Sequence, residues 1–514
     1  MTYTASPASE PFAGAAETHS AVVYFAGDRA YKLKKPVNLG FLDFTTVQAR
    51  ASACAREVEL NRRFAPDVYL GTAEVRDPGG ELCDHLVVMR RMPGQRRMST
   101  LIGAGYDVSL ALRQVARTLA SQHASAPRSS RIAQQGGQDA LLGRWAVNFG
   151  EAARLTGHVL DPEDMTEAGH LARRFAGGRG PLLRARMSHG RIVDGHGDLT
   201  AGDVFCLEDG PRLLDCLDFD DRLRWLDGLD DAAFLAMDLE RLGAPGLARL
   251  FMGWYAEYSG DPAPSSLSHH YVAYRAFVRA KVAAIRCGQG DAAAAGEARQ
   301  LTQITLRHLR AGAVTLVLVG GLPGTGKSAL AAEAASKLGW AVLSSDRIRK
   351  ELAGLPLSGG TPVPYGSGIY AAEWTQRCYD ELLRRARLLL ASGESVIADA
   401  SWSRASNRES AVATAAEARA DLVQLCCTAV PDLAAERIRR RRDLSDADAE
   451  VARRMSADRD PWPAATRIDT DEGGLDAGQP GSGFEHVVRQ ALAEIRPEGH
   501  EHVWRPTRPV MLPG

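Results

Sequence analysis

Residues 314–338 read Val-Thr-Leu-Val-Leu-Val-Gly-Gly-Leu-Pro-Gly-Thr-Gly-Lys-Ser-Ala-Leu-Ala-Ala-Glu-Ala-Ala-Ser-Lys-Leu. Three signals follow one another here: an apolar strand, a glycine-rich turn and an alanine-rich helix. The turn, Gly321, Leu322, Pro323, Gly324, Thr325, Gly326, Lys327 and Ser328, fits G-x-x-x-x-G-K-[ST] at the strand-to-helix junction where that motif carries meaning. Backbone N–H groups of such a turn, with the helix N-terminus, cradle phosphates. Lys327 is then the candidate for the β- and γ-phosphates, and for catalysis; the Ser328 hydroxyl is the candidate ligand for Mg2+.

Working outward, strand patterns at 314–319, 341–344, 395–398 and 422–426 alternate with helical ones. This predicts an α/β region with a parallel sheet flanked by helices, whose ligands bind beyond the carboxyl ends of the strands. Asp399 ends one apolar strand, where an acid can hold Mg2+. Asp346 follows another and reads either as the base that accepts a substrate hydroxyl's proton or as a helix N-cap. The run Glu436-Arg-Ile-Arg-Arg-Arg-Arg442 is either a solvated helix face or a lid presenting Arg437 and Arg441, four apart on one face, to a nucleotide. Arg408 is a similar, weaker candidate.

The chain has 514 residues, more than one core usually organises, and a formal net charge of −1, so several domains are expected and no global footprint for nucleic acid. No stretch approaches the roughly 18 apolar residues of a membrane span, and the first twenty residues lack a signal-peptide pattern; a cytoplasmic protein with no membrane partner is expected. Eight cysteines without CxxC spacing argue against zinc and disulfides. Only seven of the 62 basic residues are Lys. Each lysine is therefore a candidate for a task that wants a compact charge.

The first half reads as α+β. Ala21–Phe25 and Ala30–Lys34, around a Gly-Asp turn at 27–28, form a predicted hairpin, and mainly helical patterns follow from about 110. Acids cluster twice, in Asp194-Gly-His-Gly-Asp-Leu-Thr-Ala-Gly-Asp203 and in Leu214-Asp-Cys-Leu-Asp-Phe219. The expected division is a flexible 1–17, a first domain 18–305, a linker 306–313 and a second domain 314–514, with a surface loop at 472–483.

The H-G-D-L run at 196–199, the polar residue five beyond Asp198 and the later L-D-F resemble the catalytic and metal loops of the aminoglycoside phosphotransferase branch of the protein-kinase-like fold. The resemblance covers roughly 18–285 and implies a bilobal domain. It implies that Asp198 accepts the acceptor's proton, that Asp203 and Asp218 hold Mg2+, and that His196 braces the loop. Lys32 matches the Ala-x-Lys of the nucleotide-binding strand, with Lys34 on the same face as the alternative; Glu57 would pair with it, Glu59 being the competing choice. Two departures stand out: Asp203 occupies a position where kinases carry Asn, and a G-x-G-x-x-G loop is absent.

Residues 310–470 resemble the small P-loop kinases of the AAA-33, zeta-toxin and gluconate-kinase type, a P-loop NTPase fold. That likeness implies that Asp346 and Arg347 touch the acceptor and the lid arginines touch ATP. Together the halves resemble bacterial two-domain proteins that join the two folds. The expectation is a phosphotransferase with two ATP and Mg2+ sites and a small-molecule hydroxyl acceptor. The alternatives are a regulatory protein with a pseudokinase-like first half, suggested by Asp203, and a nucleic-acid-end or toxin-like kinase using the Arg-rich run.

Overall fold

A computed structural model describes residues 11–18, 20–38, 43–356, 368–440, 449–471 and 482–496. The chain begins with an antiparallel sheet of β1 (Ala13–Glu17), β2 (Ala21–Ala26), β3 (Arg29–Lys34), β4 (Tyr69–Arg76) and β5 (Leu82–Arg90), in the order β1-β2-β3-β5-β4. The predicted hairpin is β2–β3, turning at Gly27, whose φ of 58° suits a residue without a Cβ. Period-two alternation puts Ala30, Lys32 and Lys34 on one face of β3. Across that face lies the helix Val47–Asn61, N-capped by Thr46 and burying Cys54, Glu57 and Val58.

Residues 13–17 were expected in a loose terminus; they form the edge strand β1, paired with β2 from Ala13↔Ala26 to Glu17↔Val22. Their small side chains are all exposed, so only the backbone ladder and the Glu17–Lys35 ion pair (2.5 Å) recommend the strand. Composition does not report either.

The helical lobe follows, built on Ser109–Ser125, Gln138–Ala152, Pro162–Gly178, Gly228–Arg241, Pro245–Ser259, Ser265–Gly288 and Ala294–Ala311. Two short antiparallel pairs lie against it: β6 (Ile192–Asp194) with β9 (Trp225–Asp227), and β7 (Val204–Leu207) with β8 (Gly210–Leu213). A small sheet lobe with one helix and a larger helical lobe make this half bilobal.

The second half carries β10 (Thr315–Gly320), β11 (Ala341–Ser344), β12 (Val396–Asp399), β13 (Asp421–Thr428) and β14 (Thr466–Asp469). The order is β11-β12-β10-β13-β14, and every adjacent pair is parallel. This is a P-loop NTPase sheet, with the strand that feeds the phosphate loop at its centre. β10 reads as an unbroken apolar run because both of its faces are buried.

Residues 306–311, expected within a linker, are the last turns of the helix Ala294–Ala311, with Ile304, Leu306 and Leu309 buried. Only residues 312–314 then join the halves. One hydrophobic core runs from Leu60 to Ala420 through both. Arg179, 1% exposed, crosses the junction: it donates to Ala418 O (2.7 Å) and to Leu390 O, the carbonyl ends of two helices of the second half. Those helix C-termini supply the negative potential that a carboxylate would otherwise provide. Nearby, Arg174 pairs with Asp421 at 2.5 Å and Ser266 Oγ donates to Gly393 O at 2.6 Å. The expected loop at 472–483 lies almost wholly outside the described residues.

Because Arg179 satisfies both helix ends, Arg179→Met should weaken the junction by about 2–4 kcal/mol. Scanning calorimetry of this variant is expected to separate the melting of the two halves, whereas a single transition at the unaltered temperature would contradict the role given to Arg179.

Candidate functional site

In the first half, Glu57 is the hub. Its two carboxylate oxygens take one lysine each, Lys32 Nζ at 2.9 Å and Lys34 Nζ at 2.8 Å. The alternatives therefore resolve into a shared arrangement, since both lysines reach Glu57. Glu59 points outward and pairs with Arg56. Burial alone would raise the Glu57 carboxyl, but the two ammonium groups hold it below the usual carboxylate range.

Each lysine then reaches across to the loop after β8: Lys32 to Asp215 (2.9 Å) and Lys34 to Asp218 (2.8 Å). Asp218, expected among the metal ligands, is thus held by Lys34. Asp215, which occupies a left-handed backbone position (φ 63°), is the acid whose charge acts on both Asp198 and Asp203. Asp215 and Asp218 thus differ in which lysine each meets, which depends on a turn of the loop that spacing does not encode. Lys32 keeps the Asp215 carboxyl below its usual range.

Asp198 and Asp203 sit half-buried between the lobes. Burial, with Asp215 adding to it, pushes Asp203 up to about 7; burial likewise pushes Asp198 up to about 6, against the pull of Arg279 and Arg275. Asp203 accepts from Thr200 Oγ1 at 2.5 Å and Thr200 N at 3.2 Å. No group of three His, Cys, Asp or Glu residues able to hold a metal occurs among the described residues. Two carboxylates supplemented by phosphate oxygens are the usual protein share of a Mg2+ site, and Asp203 with Asp218, or with Asp215, could form that pair.

The loop that carries Asp198 is clamped from below by the helix Gly228–Arg241. Asp231 accepts from the amides of His196 (2.7 Å) and Gly197 (2.8 Å), and Asp238 from that of Ala201 (2.9 Å). Burial alone would raise Asp231; the hydrogen bond from His123 (2.9 Å) and the amides hold it well below the carboxylate range. His196 is fully buried, is kept neutral by burial and donates from Nε2 to Leu214 O (3.0 Å), which ties the Asp198 loop to the Asp215 loop. His123 is buried and engaged at both ring nitrogens, by Tyr255 (2.8 Å) and Asp231 (2.9 Å). Sequence reasoning missed Asp231 and Asp238, which stand seven apart on one face of a helix that also carries Asp230, Glu240 and Arg241.

In the second half, Gly321, Gly324 and Gly326 have φ of 141°, 82° and 76°. A Cβ on Gly321 would lie 2.6 Å from Cys427 O, and one on Gly324 would lie 2.4 Å from Ala434 O. The loop is thus wedged between β13 and the helix Pro431–Arg440. Lys327 and Ser328 open the helix Lys327–Leu338. Ser344, Asp399 and Val319 stand side by side at the ends of β11, β12 and β10. The charges of Lys327 and Asp399 both act on the Cys427 thiol, which burial pushes up to about 12. These groups therefore converge on one sheet edge, with Asp346 two residues beyond Ser344. The N-cap of the helix Ser345–Leu352 is Ser344, so Asp346, in the first turn, is not a cap.

Arg437 is partly buried and engaged within the fold. It donates to Thr470 Oγ1 (3.1 Å) and O (2.7 Å), and Thr470 Oγ1 donates to Thr325 O (3.0 Å), so the arginine braces the phosphate loop. Arg441 lies outside the described residues. Arg408 is structural, bonded to Trp402 O and Pro461 O at 2.7 Å each.

Fold and site thus define a bilobal half joined to a half that carries a phosphate loop on a parallel sheet. The AAA_33 family, an AAA domain, matches residues 316–462. The chain is 44% identical over 462 residues to the uncharacterized protein Rv2004c of Mycobacterium tuberculosis, covering 90% of this chain and 93% of that one; the two belong to one family. Among solved structures, it is similar to a choline/ethanolamine kinase family protein from Mesorhizobium loti (16% identical, 60% of this chain and 94% of that chain, TM-score 0.36). It is also similar to a gluconokinase from Sinorhizobium meliloti 1021 (19% identical, 35% and 91%, TM-score 0.24).

An acid whose folded pKa is raised disfavours the native state as pH climbs from its unfolded value to its folded one. For Asp203 that window runs from about 4 to about 7. Without divalent ions, Asp203→Asn should therefore raise the melting temperature at pH 8 and change it little below pH 4; equal shifts at both would contradict the buried acid.

Proposed function

We propose that the chain is an ATP- and Mg2+-dependent phosphotransferase with two nucleotide sites, each moving the γ-phosphoryl group of ATP to a hydroxyl of a small molecule. The observation that carries this reading is the convergence of the phosphate loop, Asp399 and Asp346 at the carboxyl edge of an all-parallel sheet. A loop that only capped a helix would need no acids around it.

In the second half, Lys327 and the amides of 321–328 hold the phosphates, and Ser328 and Asp399 would hold Mg2+. Asp346 accepts the acceptor's proton as the acceptor oxygen bonds to the γ-phosphorus and the bond to the ADP oxygen breaks. In the first half, Lys32, steadied by Glu57, draws the phosphates, Asp203 and Asp215 would hold Mg2+, and Asp198 takes the proton. Bound Mg2+ supplies charge neutralisation along the phosphates. Lys34 and Asp218 form a second pair that fixes the Asp215 loop against the sheet.

A regulatory reading of the first half draws on Asp203, whose charge exceeds that of the usual Asn; it entails nucleotide binding without turnover. The nucleic-acid-end reading loses support at Arg437, which is engaged by Thr470.

The test is a metabolite-extract screen with γ-labelled ATP on the full chain. Lys327→Ala should remove one set of labelled products by a factor on the order of 100 or more, and Asp198→Asn another. Loss of both sets together, or of neither, contradicts two independent sites. In the Lys327→Ala chain, turnover should fall as pH drops below about 6, because Asp198, pushed up to about 6, accepts a proton only when ionised.

A further inference from the structure

The helix Ser265–Gly288 runs alongside Gly228–Arg241 and meets it rung by rung. Tyr271 OH donates to Asp227 at 3.2 Å; one turn on, Arg275 Nε donates to Asp230 at 2.6 Å and its guanidinium lies 5.0 Å from the Phe234 ring centroid. The next rung is Arg279. At 3.6 residues per turn it falls level with the part of the second helix that holds residues 196–201 through Asp231 and Asp238, and hence level with Asp198.

Arg275 is buried and donates its Nε–H to Asp230. Arg279 is partly exposed, and among the described residues no hydrogen bond or ion pair engages it. It draws the Asp198 carboxyl downward without forming an ion pair with it, so a gap separates the two side chains. A cation kept beside a candidate base, yet apart from it and from every other acid among the described residues, is placed for an anion that these residues do not supply.

We infer that the acceptor of the first half carries a negatively charged oxyanion group, a carboxylate or a phosphate, bound by Arg279 while its hydroxyl faces Asp198. The inference rests on the phosphotransferase reading of that half and narrows its substrate class. Neutral polyols would leave the arginine unmatched, and polycationic amino sugars would meet it with like charge.

The experiment uses the full chain carrying Lys327→Ala, which silences the second half, and follows ADP formation and thermal stabilisation in Mg·ATP. The panel is D-gluconate, D-glycerate and glycerol 3-phosphate as anions, glycerol and ribitol as neutral compounds, and kanamycin as a polycation. Stimulation or stabilisation by anionic members alone is expected. Arg279→Gln should raise their KM on the order of tenfold with little change in kcat, and Arg279→Lys should recover part of it.

Preference for neutral or cationic members overturns the inference. So does an Arg279→Gln variant that lowers kcat at constant KM, which would assign the arginine to the transferring phosphoryl group instead. A chain that binds Mg·ATP yet responds to no anion also overturns it while leaving the nucleotide site intact. A chain whose first half binds no Mg·ATP refutes the phosphotransferase reading itself.

Discussion

The carboxylate of Asp231 is the fixed point of the first half. It is fully buried, yet three donors, from His123, His196 and Gly197, keep it ionised. A charge at such depth is tolerable only when every donor is in place, and hydrogen bonds to a charged group contribute about 1.5–3 kcal/mol each. That makes the loop position all-or-none: if one donor is lost, the buried charge is exposed to its full desolvation cost. Asp198 and Asp203 inherit their positions from this clamp, and His196 passes the constraint on to Leu214 and the acids that follow it. The lysines of β3 complete the frame from the opposite lobe through Glu57.

The second half reaches rigidity by a different route. Its phosphate loop is held by close backbone approach rather than by buried charge, with glycines where any Cβ would strike Cys427 or Ala434. Arg437 and Thr470 reinforce it from the far edge of the sheet. The halves do not hang loosely on a linker, because helix Ala294–Ala311 runs almost to β10 and Arg179 caps two helices across the junction. A movement that opened one half would have to reorganise a core it shares with the other.

How much of this was legible follows from how local each feature is. The phosphate loop, Asp399 at a strand end and the β2–β3 hairpin are contiguous patterns, and the structure has them where the sequence puts them. The Asp198 loop was legible as a run of residue types, but its supports were not, since Asp231 and Asp238 act from a helix thirty or more residues away. Which lysine each of Asp215 and Asp218 meets was not legible either, since it depends on the left-handed backbone at Asp215. β1 and β14 escaped notice because β1 buries no side chain and β14 buries only Ile468. Arg179 is invisible in sequence, its partners being carbonyl oxygens more than two hundred residues downstream.

The account stands or falls on there being two nucleotide sites of distinct construction. Equilibrium binding of a non-hydrolysable ATP analogue with Mg2+ to the full chain measures this directly. Two equivalents per chain are predicted, with one lost in Lys327→Ala and the other in a Lys32→Ala, Lys34→Ala double variant. A single equivalent that only Lys327→Ala removes would contradict it.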